Sequence, residues 1–234
     1  MGVLVTVAAR RQPLSFDPRR TAVIVLDMQN DFGTDGGMFD RAGVPMDGIK
    51  ALIAPIAEVL RQARAAAMTI VYLKMQFEPD LSDAGAPDGP NLLRHQWFGV
   101  GEPIVAPDGQ QGRILIKDTW NTEIVPELAP APGDIIVGKH RYSGFWETDL
   151  DTVLHEHGVD TLIVTGCTTS ICVDSTVRDA FYRDYRCVVL SDCTAEPLGS
   201  HDATLRSIEA CFGWVTDSTE FLAAISPVTA SATT

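Results

Sequence analysis

Short apolar runs alternate along this chain with segments whose apolar residues recur at helical spacing. A run without polar interruption is typical of a strand buried on both faces of a parallel sheet. Because alternating strands and helices form βαβ units, we predict an α/β fold, with three αβα layers around a mostly parallel sheet. The strand candidates are 22–27, 68–73, 134–137, 160–165, 187–190 and, as a possible edge strand, 212–215. The helix candidates between them are 48–67, 149–157, 173–185 and 203–211.

The length of the chain, 234 residues, suits one domain with a sizeable core. We expect that domain to occupy residues 21–226, between an irregular N-terminal arm (1–20) and a C-terminal tail (227–234). The segment 76–112 is rich in Pro, Gly and Asp and has little periodicity. A loop of that length inside a domain is usually functional, so we interpret it as a candidate lid.

The composition argues against several classes of function. The chain has 31 acidic and 18 basic residues, a formal charge of −13, and no basic stripe, so a nucleic-acid partner is not expected. It also lacks a run of about 18 apolar residues, so no segment is expected to span a membrane. The five cysteines are dispersed and odd in number, which indicates free thiols and a cytoplasmic location.

The cysteine and histidine spacings do not indicate a metal site. There is no Cys-x-x-Cys pair, and His155 and His157 stand two residues apart on a predicted helix, so they do not share a face. We expect neither a metal nor another cofactor.

Three residues with complementary chemistry, Asp27, Lys139 and Cys172, lie at or near the ends of predicted strands. Ligands bind at the carboxyl ends of parallel strands, so the fold brings these side chains toward one edge. Asp27 could accept the thiol proton and return it to a leaving amine, while Lys139 holds the carboxylate and thiolate charges together. The start of a helix favours the thiolate form of Cys172. Backbone N–H groups of the turn 167–172 suit a developing oxyanion.

Less reactive roles are open for each of these residues. Cys172 could be a plain buried cysteine, and Asp27 could be a cap at the end of a strand. Cys167 is a rival nucleophile earlier in the same turn, although we interpret it as a small filler. A catalytically silent interaction subunit that kept the fold is the alternative from outside the enzyme class.

Three motifs resemble those of the isochorismatase-like cysteine hydrolases, and the resemblance covers almost the whole chain. The motifs are Ala-Val-Ile-Val-Leu-Asp-Met-Gln-Asn-Asp-Phe (22–32), Gly-Lys (138–139) and Val-Thr-Gly-Cys-Thr-Thr-Ser-Ile-Cys-Val (164–173). The resemblance implies a Rossmann-type αβα fold and a catalytic triad of Asp27, Lys139 and Cys172. It also implies a cis peptide bond between Cys167 and Thr168, and an oxyanion hole formed by the N–H groups of Thr168 and Cys172.

Within the family, the chain is most similar to the ureidoacrylate amidohydrolases of pyrimidine breakdown and to the biuret hydrolases. That similarity implies cleavage of a terminal carbamoyl group to carbamate and an amine. A nicotinamidase or maleamate-type amidase on the same triad is the alternative enzyme. The chain differs from these enzymes at 74–78, where Met75 and Phe77 replace polar and tryptophan residues of their substrate pocket.

The expected partners are a small amide or ureido substrate and further copies of the chain, because the family usually forms homo-oligomers. Arg141 could pair with a substrate carboxylate, or equally with a surface acid. The candidate substrate-binding residues are Gln29, Phe32, Phe77, Trp97 and Tyr142.

Overall fold

The computed structural model describes residues 4–232 of the chain, with side chains through residue 226. Its central sheet has six strands in the order β10-β9-β8-β3-β4-β7, and every neighbouring pair is parallel. Two short antiparallel hairpins, β1-β2 and β5-β6, lie outside it. The strands are β1 (Val5–Val7), β2 (Leu14–Phe16), β3 (Thr21–Leu26), β4 (Thr69–Met75), β5 (Pro103–Val105), β6 (Gln111–Arg113), β7 (Ile135–Lys139), β8 (Thr161–Cys167), β9 (Arg186–Ala195) and β10 (Trp214–Thr216).

Helices connect the parallel strands and cover both faces of the sheet. The part of the chain with described side chains contains no helix that is long and apolar enough to cross a membrane. The helices are α1 (Asn30–Gly33), α2 (Met38–Arg41), α3 (Asp47–Lys50), α4 (Ile53–Ala65), α5 (Pro90–Gln96), α6 (Leu150–Glu156), α7 (Asp174–Phe181), α8 (His201–Cys211) and α9 (Ser218–Ala232).

The alternating side chains of β3 divide the core into two apolar clusters. Val23 and Val25 pack in a cluster with α4 and α9. Ala22, Ile24 and Leu26 pack in the other cluster, with α6, α7 and α8. Because successive side chains of a strand point to opposite faces, a strand buried between two helical layers must be apolar throughout. This arrangement confirms the predicted three-layer αβα fold.

The register of the sheet brings the carboxyl ends of four strands together. Leu26 pairs with Leu73 of β4 and with Gly166 of β8, and Met75 pairs with Lys139 of β7. Gly166 has a φ of +104°, and a Cβ there would lie 2.0 Å from the carbonyl oxygen of Leu26, so only glycine fits. The residues that follow β3 and β8 therefore meet beside the end of β7.

Several predicted boundaries differ from the structure. The arm 1–20, which we expected to be irregular, contains the β1-β2 hairpin, and the ring of Phe16 stacks on Phe221 of α9. The alternation of buried and exposed residues in each strand explains the hairpin, since one face packs on the domain. The segment 76–112 contains α5 and the β5-β6 hairpin, and α9 continues past the expected domain boundary at 226. The predictions for residues 1–3 and 233–234 lie outside the described chain.

Candidate active site

Asp27 is the first residue after β3, and its main chain turns sharply there. Its φ is +52°, and its N–H donates to the carbonyl oxygen of Leu73, at 2.9 Å. Oδ1 accepts a hydrogen bond from the N–H of Met75, at 3.0 Å. Two contacts with β4 therefore fix the orientation of a carboxylate that is only 1 % exposed.

Lys139 ends β7 and reaches both other members of the predicted triad. Its Nζ lies 2.8 Å from Oδ2 of Asp27 and 3.5 Å from Sγ of Cys172. The side chain is 1 % exposed, and Nζ also donates to the carbonyl oxygen of Arg141, at 3.4 Å. A buried ammonium is stable when it is paired and hydrogen-bonded, so Lys139 and Asp27 form a locally neutral pair.

Cys172 lies in a π-helical turn, Thr169–Val173, between β8 and α7. The peptide bond between Cys167 and Thr168 is cis, which confirms that prediction from the family resemblance. The sulfur of Cys167 donates to the carbonyl oxygen of Asp27, at 3.4 Å, and lies outside the cavity that Cys172 borders. Of the two thiols in this turn, only that of Cys172 is positioned to meet a ligand.

Side chains that follow β9 hold this turn from behind. Glu196 Oε2 accepts from both the N–H and the hydroxyl of Ser170, at 2.6 and 2.5 Å. Thr169 Oγ1 lies 2.9 Å from Nδ1 of His201, the first residue of α8. These contacts hold the turn at Thr169 and Ser170, shortly before Cys172.

The resting sulfur differs from our expectation of a thiolate. Burial raises the pKa of the Cys172 thiol well above its ordinary value, the Asp27 carboxylate raises it further, and the Lys139 ammonium only partly opposes both. Burial lowers the pKa of Lys139, but Asp27 and the Cys172 sulfur reverse this effect, and the net direction is upward. These effects favour the neutral thiol of Cys172 beside the Lys139–Asp27 ion pair, because burial outweighs the helix-terminus effect.

A small cavity of about 50 Å³ lies against the Cys172 sulfur. Its wall includes Met75, the last residue of β4, together with residues that precede and follow Met75 in the sequence. It also includes Thr168, whose N–H is one of the two predicted oxyanion donors. The lining residues are Phe32, Met38, Phe39, Met75, His95, Phe98, Tyr142, Thr168, Ile171, Cys172 and Leu198.

The structure places the five candidate substrate-binding residues in different positions. Phe32 and Tyr142 border the cavity. Gln29 is fully buried behind it, where its carboxamide bonds the N–H and carbonyl of Met75, at 2.9 and 2.8 Å. Phe77 is also fully buried, with its ring edge-on to His95, and Trp97 is 73 % exposed under the guanidinium of Arg94.

Sequence reasoning missed most of the cavity wall. His95 and Phe98 come from the segment 76–112, which folds over the site. His95 Nδ1 lies 2.7 Å from the carbonyl oxygen of Asn91. Burial lowers the pKa of His95, the hydrogen bond to Asn91 opposes this, and the charges of Lys139 and Arg141 lower it further, so the net direction favours the neutral ring. The sequence signal that could have indicated this contact is the spacing of four residues between Asn91 and His95, which places them on one face of a helix.

Arg141, for which the sequence allows either a substrate carboxylate or a surface acid as partner, donates hydrogen bonds to the main chain. Its Nη1 donates to the carbonyl oxygens of Asp83 and His140, at 2.9 and 2.7 Å. It borders an outer hollow of about 430 Å³, which shares Tyr142 with the inner cavity. That hollow also includes Arg94, Ser143, Trp146 and Ser175. A larger hollow of about 540 Å³ includes residues at the amino ends of β9 and β10, away from this chemistry.

Sequence and structural similarity to known proteins places the chain in a family. Residues 21–220 match the Isochorismatase domain. The chain belongs to the isochorismatase family. It is 42 % identical over 224 residues, 95 % of this chain and 89 % of the relative, to a protein named ureidoacrylate amidohydrolase RutB from Methylorubrum extorquens.

Solved structures extend the family match. A cysteine hydrolase from Pseudomonas syringae pv. phaseolicola 1448A superposes with a TM-score of 0.77 and 32 % identity, covering 97 % of this chain and all of that one. N-carbamoylsarcosine amidase from Thermoplasma acidophilum superposes with a TM-score of 0.66 and 26 % identity, covering 85 % of this chain and 96 % of that one. This isochorismatase-family chain is therefore a hydrolase, which confirms the predicted enzyme class.

Metal-ligating side chains are not clustered in the described part of this family member. Across residues 4–226, no group of three or more histidine, cysteine, aspartate or glutamate residues is arranged to hold a metal ion.

Proposed function

We propose that the chain is a cysteine-dependent amidohydrolase, which cleaves the C–N bond of a small amide or ureido compound through a thioester-type acyl-enzyme. One observation carries the proposal. The Lys139 ammonium lies 2.8 Å from the Asp27 carboxylate and 3.5 Å from the sulfur of Cys172, and Cys172 borders a cavity. A nucleophile, a base within reach and a group that orients them are what covalent amide hydrolysis needs.

In the first step the Cys172 sulfur attacks the carbonyl carbon of the substrate. Asp27 takes the thiol proton as the C–S bond forms, and the carbonyl π electrons move to oxygen. The N–H groups of Thr168 and Cys172 stabilise that oxyanion. Because the Lys139 ammonium lies 2.8 Å from Asp27 and 3.5 Å from the Cys172 sulfur, it compensates the negative charge as that charge moves from the carboxylate to the oxyanion.

In the second step the tetrahedral intermediate collapses. Asp27 gives its proton to the leaving nitrogen, the C–N bond breaks, and ammonia or an amine departs. Water then attacks the thioester and passes a proton to Asp27, and the C–S bond breaks with return of a proton to sulfur. An amide yields a carboxylic acid. A ureido compound yields carbamate, which decays to ammonia and carbon dioxide.

The named relatives support the choice of bond. One is called a ureidoacrylate amidohydrolase and another an N-carbamoylsarcosine amidase, and both names describe hydrolysis at carbonyl–nitrogen bonds. The name of the Methylorubrum extorquens relative suggests a ureidoacrylate-like substrate and a role in pyrimidine breakdown, so ureidoacrylate is one of the compounds in the test below. The cytoplasmic location and the homo-oligomer remain predictions.

The test is ammonia release by purified wild type and by Cys172→Ala, with Cys167→Ala as the matched control. The substrates are ureidoacrylate, biuret, N-carbamoyl amino acids, nicotinamide and maleamate. Activity that disappears in Cys172→Ala and persists in Cys167→Ala supports the proposal. Activity on nicotinamide or maleamate alone would favour the alternative amidases, and release by no substrate would favour a silent subunit.

A further inference from the structure

We propose that the substrate carries an uncharged, apolar group beside its scissile amide, and that ureido acids and other anionic amides are poor substrates. This inference rests on the proposed function and narrows its substrate class. It rests on the chemistry of the cavity wall, which offers no cationic partner to a substrate carboxylate.

The wall of the cavity is mostly apolar. Met75 contributes a thioether beside the Lys139 ammonium, with its sulfur 3.6 Å from Nζ. The ring of Phe39 lies edge-on to Phe32, at 4.9 Å between centroids, and is tilted against Phe98 at 6.1 Å. An apolar wall favours an apolar ligand and penalises a charge that finds no partner. The apolar lining residues are Phe32, Met38, Phe39, Met75, Phe98, Ile171 and Leu198.

No arginine or lysine borders this cavity among the described residues. The nearest ammonium, that of Lys139, is paired with Asp27 at 2.8 Å. Arg141 donates to two main-chain carbonyl groups, and the guanidinium of Arg94 lies 4.1 Å over the ring of Trp97. A substrate carboxylate in this cavity would therefore lose its water without gaining a cation.

The polar groups in the wall suit a neutral amide. Because a carbonyl oxygen can only accept, Nδ1 of His95 carries the proton that it shares with Asn91, and Nε2 remains an acceptor. Burial raises the pKa of Tyr142, and the nearby Cys172 sulfur raises it further, so the phenol stays protonated. One acceptor and one hydroxyl suit the N–H groups of a neutral amide or urea, while its carbonyl oxygen is left to the N–H groups of Thr168 and Cys172.

The outer hollow is the place where an acid could still be bound. Arg94 and Arg141 border it on the far side of Tyr142. A substrate long enough to pass Tyr142 could place a carboxylate there, and the experiment must separate this arrangement from the one we propose.

The experiment compares isosteric pairs in which an isopropyl group replaces a carboxylate. The pairs are 4-methylpentanamide with succinamate, and isopentylurea with 3-ureidopropanoate. We expect kcat/KM for ammonia release to be about 100-fold or more higher for the neutral member of each pair. Equal or faster turnover of the acids, or turnover of neither neutral member, would overturn the inference.

Variants at the cavity rim give a second readout. Leu198 lines the cavity and is 47 % exposed, so a charge there costs little burial. Leu198→Arg should raise the acid-to-neutral ratio of kcat/KM about tenfold, and Leu198→Gln should leave it unchanged. An unchanged ratio in Leu198→Arg contradicts the inference.

The Arg94→Gln variant tests the outer hollow. We expect this variant to leave kcat/KM unchanged for both members of each pair. A selective loss of turnover of the acids would contradict the inference. Activity that survives in Cys172→Ala would instead contradict the proposed cysteine mechanism. Failure of the mechanism and failure of the substrate class are therefore distinguishable.

Discussion

Lys139 and Asp27 form an ion pair, 2.8 Å long, in which each residue is only 1 % exposed. β7 and β3 deliver the two groups to the same end of the sheet, with β4 between them. A buried pair of this kind is weak evidence for stability, because its desolvation offsets its attraction. Its position beside the Cys172 sulfur is the basis of our proposal that it takes part in catalysis.

Removal of one partner of this pair should harm both stability and activity. We expect Lys139→Met to lower the free energy of unfolding by about 3–5 kcal/mol, because it leaves the Asp27 carboxylate buried without a cation. The double variant Asp27→Asn/Lys139→Met should regain most of that stability and still lack activity. Urea unfolding and ammonia release check both statements. Equal stability of Lys139→Met and the double variant would contradict the ion-pair account.

The reactivity of Cys172 toward iodoacetamide should rise with pH. Burial raises the pKa of its thiol, so little thiolate exists at neutral pH, and alkylation should accelerate through about pH 8 and above. Cys211 is exposed and would react first, so the measurement uses a Cys211→Ser background. Peptide mapping by mass spectrometry follows Cys172 itself. A rate that is already constant below about pH 7 would indicate a preformed thiolate.

Asp31 should make the stability of the fold depend on pH. Burial raises its pKa from about 3.8 to about 6, against hydrogen bonds from Asn121, Leu115 and Met38 that lower it. Between these values the folded state holds a proton that the unfolded chain has released. The free energy of unfolding should therefore fall as pH rises from about 4 to about 6, by up to about 3 kcal/mol from this residue.

The control for this prediction is Asp31→Asn, which cannot titrate. As pH rises from about 4 to about 6, the free energy of unfolding of wild type should fall relative to that of Asp31→Asn. Above about pH 6 the difference between the two proteins should stay constant. Parallel pH profiles of the two proteins would show that Asp31 titrates normally.

Glu196 should act as a positioning residue for the turn that contains Cys172. Its carboxylate accepts from the N–H and hydroxyl of Ser170, so its loss frees the turn two residues before Cys172. We expect Glu196→Ala to lower kcat about tenfold or more with little change in KM, since misplacement affects the chemical step. Glu196→Gln, which keeps one acceptor, should recover part of the rate. A rise in KM alone would assign the residue to substrate binding.

The sequence was sufficient to predict the sheet and the position of Cys172 after the carboxyl end of β8. Strands such as β3 are apolar without interruption, so local pattern and burial agree, and the residue after such a strand lies at the carboxyl edge. The cavity wall was harder to predict, because it depends on how 76–112 folds back over Cys172. Nothing in the local pattern of Phe98 or Leu198 reports that long-range contact.

Closeness in sequence to Asp27 is also a poor guide to which residues border the cavity. Gln29 lies two residues after Asp27, yet its carboxamide is taken up by the main chain of Met75. The thiolate expectation used the helix terminus alone, whereas burial of Cys172 is set by the packing of several elements. Both differences arise from tertiary contacts that a local pattern does not contain.

The most direct test of the account is mass spectrometry of the enzyme quenched in acid during turnover of isopentylurea or 4-methylpentanamide. Attack by sulfur predicts a carbamoyl or acyl adduct on the peptide that contains Cys172, absent from Asp27→Asn treated in the same way. An adduct on Cys167 or on any other residue, or full turnover by Cys172→Ala, would contradict the central claim that Cys172 is the nucleophile.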